Sequence, residues 1–183
     1  MAIAERFALS RVDAPGGPIL RASWASTAVF TVASAVAVAT ESANVAVTVV
    51  DLVLFAIGCV VFVMAFVTGA QRSRTHELGI GGWFFLAGAA PRPVQWHLLG
   101  SFGVQCLVSI VAAWVGFART AADDLNPLAF SVLVPTLGLA FCGLWGARHG
   151  SFGPRIFDAP VVGVHTGKSG RDDAPVDKNG DHG

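Results

Sequence analysis

The sequence predicts an all-α protein: a four-helix transmembrane bundle with a short interfacial or re-entrant segment and a disordered C-terminal tail. Of its 183 residues, 54% are hydrophobic and only 13% are charged, whereas about a quarter of the residues in soluble domains are charged. Four apolar stretches approach or exceed the roughly 20 residues that a helix needs to cross a bilayer. Basic residues gather on one side of these stretches, which is typical of a multi-pass membrane protein.

The four predicted spans cover residues of about 23–40, 45–70, 94–118 and 127–147. The first is the shortest and consists mainly of Ala, Val, Thr and Ser. The second contains an uninterrupted apolar run from Leu52 to Gln71, and charged residues bound the third and fourth. Residues 1–22 then form an N-terminal segment. Residues 148–183 form a largely disordered tail, because a segment rich in Gly, Asp, Pro and Lys cannot bury a core.

The first span has an alternative interpretation as a signal peptide. Arg21, the apolar run after it and the triplet from Ala37 to Ala39 resemble the three regions of a secretory signal. The segment before the apolar run is long for a signal, however, and cleavage after Ala39 leaves a chain that begins almost inside the second span. An uncleaved helix is therefore the favoured interpretation.

Orientation follows from the basic residues, because Lys and Arg near span ends stay on the cytoplasmic side. Alternating spans place five arginines that lie close to a span on one side, and Arg119 on the other. The five are Arg21, Arg72, Arg74, Arg92 and Arg148. The sequence therefore predicts an inner (plasma) membrane protein with both termini in the cytoplasm. Its twelve basic and twelve acidic residues cancel, so the overall charge gives no reason to expect nucleic acid as a partner.

Between the second and third spans, Leu78 to Ala90 is apolar but only about 13 residues long. That length is too short for a crossing and is typical of an interfacial or re-entrant segment. The glycines within it, and the prolines at positions 91 and 93, allow the chain to bend.

A stripe of polar side chains runs along the predicted third span. Its members recur every fourth residue and so share one face of the helix; they are His97, Ser101, Gln105 and Ser109. The first span carries a matching stripe of Ser23, Thr27, Thr31 and Ser34, so we expect the two faces to meet in the bundle. Interhelical hydrogen bonding, worth roughly 0.6 kcal/mol per contact, is one interpretation of the third-span stripe. A lined cavity or relay is the other.

Asp51 is the one carboxylate that can lie within a span. Burying its charge at the bilayer centre costs roughly 3 kcal/mol, which makes such a residue a functional candidate. If the second span uses Leu52 to Gln71, Asp51 lies instead at the outer interface, and this interfacial placement is the favoured one. A helix that begins near Ala43 exceeds the hydrocarbon thickness unless it tilts strongly.

Ligand sites are weakly indicated. Arg72, Arg74 and His76 are candidate contacts for anionic lipid headgroups on the cytoplasmic side. The three cysteines are far apart in the sequence and contain no CxxC pair. No two histidines share a metal-binding spacing on one helix. We therefore expect no metal and no cofactor.

Two further features concern helix packing. Pro135 removes a backbone donor inside the fourth span and should kink it. Ala65 with Gly69, and Gly143 with Ala147, are small residues at i+4 spacing. Such faces allow helices to approach closely in lipid, so they are candidates for contact with another membrane protein or a second copy.

The segments QRSRTHELGIGGWFFLAGAAPRPVQWHLLG and LGLAFCGLWGARHGSFGPR resemble small four-span integral membrane proteins of actinobacteria. The resemblance covers about residues 50–155 and implies the four-span architecture. It implies no catalytic or ligand residue, because the family has no assigned function.

These observations leave three classes of function. A non-catalytic membrane protein that packs with itself or a larger complex is favoured, because each polar feature has a packing explanation. A small transporter or lipid-binding protein that uses the third-span stripe is the alternative. An enzyme is disfavoured, because the sequence has no nucleophile and base pair, metal motif or phosphate loop.

Overall fold

The computed structural model describes residues 16–40, 44–119 and 126–154. Within these ranges the chain is helical and contains no β-strand, which confirms the predicted fold class. Its elements are α1 (Gly17–Thr40), α2 (Asn44–Arg72), α3 (Ile80–Phe84), α4 (Arg92–Arg119), a 3-10 helix (Pro127–Leu133) and α5 (Pro135–His149). The predicted disordered tail lies outside the described residues from position 155 onward.

Four helical segments are long and apolar enough to cross a membrane: α1, α2, α4, and the 3-10 helix together with α5. They correspond to the four predicted spans, and α1 begins earlier than expected. Gly16 has φ of +81°, and its carbonyl accepts the N–H groups of Ile19 and Leu20. Pro18 in the first turn needs no hydrogen-bond acceptor. The helix therefore begins at Gly17 and takes Arg21 into its first turns.

Helix α5 is the centre of the bundle. Every residue from Ala140 to Ala147 is buried, and α5 packs most extensively against α2, with α4, α3 and α1 around it. The other long helices carry large hydrophobic side chains on their outward faces, such as Val60 on α2 and Leu107 on α4. Those outward faces suit contact with lipid.

The fourth span is broken at Pro135. A 3-10 helix ends at Leu133, and α5 starts at Pro135 without a side-chain cap. Pro135 has no N–H to donate to the Ser131 carbonyl, which instead accepts the N–H of Val134 at 3.2 Å in a tighter turn. The predicted kink is thus a change of helix type.

The segment between α2 and α4 folds back onto the bundle. Trp83 in α3 donates its indole N–H to the Gly143 carbonyl at 2.9 Å. A Cβ at Gly69 would overlap the Trp83 ring, and one at Gly143 would lie 2.5 Å from the Phe84 ring. Leu86, with φ of 58°, inserts a fully buried side chain after this short helix.

This arrangement corrects the interpretation of the two small-residue faces. Ala65 and Ala147 are buried, and Trp83 and Phe84 of the same chain cover the glycines at positions 69 and 143. The faces are used within the monomer because the short α3 segment needs room against α2 and α5.

Candidate functional site

The polar stripes of α1 and α4 meet inside the bundle. The two helices run parallel, and Ser23 Oγ and Ser101 Oγ lie 2.5 Å apart. One turn further along, Gln105 donates its side-chain N–H to Thr27 Oγ1 at 2.7 Å. Both contacts are buried. His97, the first residue of the predicted stripe, is only half-buried, and its ring packs edge-on against Trp24 with centroids 6.4 Å apart.

Gln105 also supports the start of α5. Its Oε1 accepts the backbone N–H of Gly138 at 3.1 Å. A Cβ at Gly138 would lie 2.6 Å from that oxygen, so glycine permits the close approach. One buried amide side chain therefore joins α1, α4 and α5.

Ser109 forms a hydrogen bond to the backbone where Pro135 breaks the fourth span. Its hydroxyl lies 2.8 Å from the Ser131 carbonyl, the acceptor that an N–H at position 135 would otherwise use. The same hydroxyl lies 2.7 Å from the Gln105 carbonyl of its own helix. Polar side chains of a neighbouring helix commonly satisfy the backbone groups that a proline frees in a membrane.

Asp51 is fully buried in the bundle, with an exposed fraction of 0%. Its Oδ2 accepts a hydrogen bond from Ser131 Oγ at 2.7 Å. Helix α2 begins at Asn44, not near Leu52, so Asp51 lies about two turns inside the helix. Asp51 is thus a buried carboxyl group with a specific partner, whichever depth in the bilayer it has.

The three candidate lipid contacts have different surroundings. Arg72 donates to the carbonyls of Ala147 at 3.0 Å and Gly150 at 2.6 Å, and its guanidinium lies 5.3 Å from the Phe152 ring centroid. It therefore caps the C-terminus of α5, where free carbonyls and the helix dipole favour a cation. Arg74 is exposed, and His76 Nδ1 lies 2.8 Å from Thr75 Oγ1. Arg74 is therefore the one of the three candidates whose exposed side chain is not already engaged in one of these contacts, and it is the best placed to meet a lipid headgroup.

A surface groove of about 400 Å³ lies along α4 at the end where Arg92 starts the helix. Arg92, Gln95, Trp96, Leu99 and Gly100 line it. Gln95 donates to the carbonyls of Leu86 and Ala90, while Trp96 is 78% exposed. A Cβ added at Gly100 would meet no other atom within 4 Å, so the groove is open at this position.

Within the described residues, the buried polar network does not form a continuous relay for protons. The Ser109 hydroxyl contacts the backbone carbonyl of Ser131, not its hydroxyl. The contact between α4 and Thr27 is made by the side-chain amide of Gln105. Ser23 and Ser101, in contrast, are in direct hydroxyl-to-hydroxyl contact. The arrangement instead ties helices together and satisfies the backbone around the break at Pro135.

Sequence reasoning missed Ser131, which joins Asp51 to the network. One signal was present, because Ser131 precedes Pro135 by four residues and its carbonyl must lose its helical donor. Ser34 was expected on the α1 stripe, but its buried Oγ has no hydrogen-bond partner among the residues that the structure describes.

No family model, curated protein or solved structure matches this chain.

Proposed function

We propose that this protein is a non-catalytic accessory component of the plasma membrane, with both termini in the cytoplasm, that packs against another membrane-spanning chain. The observation that carries the proposal is that three of the four residues in the α4 stripe make hydrogen bonds inside the bundle. Ser101, Gln105 and Ser109 are each buried and bonded to α1 or to the fourth span. A stripe used in this way supports a packing role over a lined transport pathway.

The surface that suits a partner is the outward face of α4. Gly100 and Gly103 both have open space where a Cβ would be, so another helix can approach the backbone closely. The adjacent groove beside Trp96 supplies apolar surface, and Arg92 lies at its rim. We propose an apolar membrane-spanning helix as the occupant.

The test compares wild-type protein with the double variant Gly100→Leu, Gly103→Leu after extraction in mild detergent. Because both positions face open space, the monomer should still insert and fold while its partner is lost. Val60→Leu, on the outward face of α2, is the matched control. Solution mass distinguishes a second copy of the 18.9 kDa chain from a different protein. A wild-type protein that is strictly monomeric and partner-free would defeat the proposal.

Transport is a second candidate function, and one observation favours it. Ser131, one turn before the break at Pro135, is hydrogen-bonded to the buried carboxyl group of Asp51. Broken helices and intramembrane carboxylates accompany ion sites in transporters. Ion movement into liposomes that contain the protein, lost in Asp51→Asn, would favour transport over the accessory role.

A further inference from the structure

Two buried polar atoms in the described part of the chain have no hydrogen-bond partner: Ser34 Oγ on α1 and Asp51 Oδ1 on α2. Their residues are 3% and 0% exposed. More than about nine in ten buried polar groups in proteins are hydrogen-bonded, so each exception calls for a physical explanation, such as a bound ion. These two exceptions lie on helices that follow one another in the chain.

Both side chains lie on buried faces of the helices α1 and α2. Phe30 and Leu54 belong to one apolar cluster, and Ala37 and Val47 to another. Ser34 lies between Phe30 and Ala37 on α1, about one turn from each, and Asp51 lies between Val47 and Leu54 on α2. An antiparallel register that pairs Phe30 with Leu54 and Ala37 with Val47 would bring Ser34 to the level of Asp51 on the other helix.

The behaviour of Ser34 differs from that of its neighbours. Ser26, Thr27, Thr31 and Thr40 on α1 each donate a hydroxyl to a carbonyl of their own helix, at 2.8 or 2.9 Å. Ser34 makes no such bond. The Ser34 oxygen is thus available to bind a ligand on the buried face of α1.

No basic side chain balances the carboxyl group of Asp51 within the described elements around it. The 3-10 helix carries no ionisable residue, and Arg21 lies at the far end of α1. On α4, Arg119 donates to the Val38 carbonyl at 2.7 Å. Arg148 and His149 are at the opposite end of α5. The other titratable side chains on these helices are Cys59, Arg72, Arg92, His97, Cys106 and Cys142.

We propose that Asp51 and Ser34 form an intramembrane site for one monovalent cation, either a proton or Na⁺. A single positive charge neutralises the carboxyl group, which is otherwise costly to bury. Both candidate ligands are hard oxygen atoms, which suit Na⁺, whereas a proton would neutralise the carboxyl group by binding to Oδ1. A divalent ion is not favoured, because the described residues hold no group of three His, Cys, Asp or Glu side chains.

This proposal does not depend on the accessory role, because no part of it requires a partner chain. The experiment uses the full chain in lipid nanodiscs and measures the unfolding temperature while Na⁺ replaces choline. Infrared absorption of a protonated carboxylic acid is recorded in parallel at neutral pH. Asp51→Asn, a neutral isostere, identifies the signals that belong to this carboxyl group.

If the cation is Na⁺, Na⁺ should raise the unfolding temperature of the wild type by mass action, and Asp51→Asn should abolish the response. Ser34→Ala should weaken the apparent Na⁺ affinity about tenfold, as expected for the loss of one ligand. If the cation is a proton, the protonated carboxyl band should be present in the wild type and absent in Asp51→Asn, with no Na⁺ response.

Thr31→Val is the matched control, because Thr31 lies one turn before Ser34 and donates to its own helix. Its Na⁺ response and infrared band should equal those of the wild type. An ionised Asp51 at neutral pH, together with an unfolding temperature that is independent of Na⁺, would overturn the proposal. Because Ser34→Ala keeps the carboxyl group, it provides a second readout if Asp51→Asn fails to fold.

Discussion

Gln105 illustrates how single polar side chains hold this bundle together. It donates to Thr27 and accepts from the backbone of Gly138, so three helices depend on one amide group. In lipid, helices gain little from hydrophobic association, and buried polar contacts therefore matter for which helices meet. The same amide also satisfies an N–H near the first turn of α5, where α-helices lack internal acceptors.

We predict that Gln105→Leu lowers the free energy of unfolding by roughly 1–2 kcal/mol, because two hydrogen bonds are lost while the side-chain volume changes little. Reversible unfolding in mixed detergent micelles measures the effect. Leu107→Ala, on the lipid-facing side of the same helix, should change stability by less than about 0.5 kcal/mol. Equal effects of the two substitutions would contradict the role of Gln105.

At the scale of elements, the broken fourth span and the folded-back α3 segment give the bundle its shape. The break at Pro135 is compensated by Ser109, whose hydroxyl lies within hydrogen-bonding distance of the Ser131 carbonyl. The α3 segment is held by Trp83 and Phe84 against glycines of α2 and α5. The break exists because proline has no backbone N–H, and the α3 segment packs closely because glycine has no Cβ.

The first element-scale prediction concerns coupling between Ser109 and Pro135. In Pro135→Ala a backbone N–H becomes available to the Ser131 carbonyl, so the hydroxyl of Ser109 is needed less. Ser109→Ala should therefore cost less in the Pro135→Ala background than in the wild type, with a coupling of about 0.5–1 kcal/mol. A double-mutant cycle of unfolding free energies measures it, and strictly additive effects would rule the compensation out.

The second element-scale prediction compares two glycines. Gly143→Ala should destabilise the monomer by roughly 1–3 kcal/mol, because the new Cβ crowds the Phe84 ring. Gly100→Ala, at a position with open space, should be neutral or slightly stabilising because alanine favours helix. Thermal unfolding in detergent compares them. Partner loss from Gly143→Ala with unchanged monomer stability would restore the interpretation of this face as an intermolecular contact.

At the scale of the whole molecule, the contacts between helix ends define two opposite ends of the bundle. Arg72 at the end of α2 reaches the end of α5, and Ser151 donates its N–H to the Ala89 carbonyl just before α4. At the other end, Arg119 reaches Val38, and Thr48 lies 3.5 Å from the Pro127 carbonyl. An even number of spans therefore brings the start of α1 and the end of α5 to the same end of the bundle.

From the basic residues we predict that this shared end faces the cytoplasm. A reporter active only outside the cytoplasm should be inactive when fused after Gly150 and active when inserted within residues 121–125. Fusions at the same positions to a reporter that is active only in the cytoplasm provide the control and should give the opposite pattern. Outer-side activity after Gly150 would reverse the orientation.

Hydropathy and periodicity were enough to predict the four apolar helices and the polar stripes of α1 and α4. Both patterns are local, because a span is recognised by its own length and a stripe by i+4 spacing. The short α3 segment was likewise recognisable as too short for a crossing. These features depend on the solvent that each helix meets more than on its neighbours.

Only the tertiary structure decided how those helices use their polar and small residues. Arg72 caps α5 instead of lying free at a headgroup, and Trp83 and Phe84 cover Gly69 and Gly143. Asp51 is buried because α2 begins at Asn44 and because Ser131, far away in the sequence, supplies a hydroxyl. Such pairings join residues on separate helices, so they depend on which faces pack together, and no pattern within one helix contains that information.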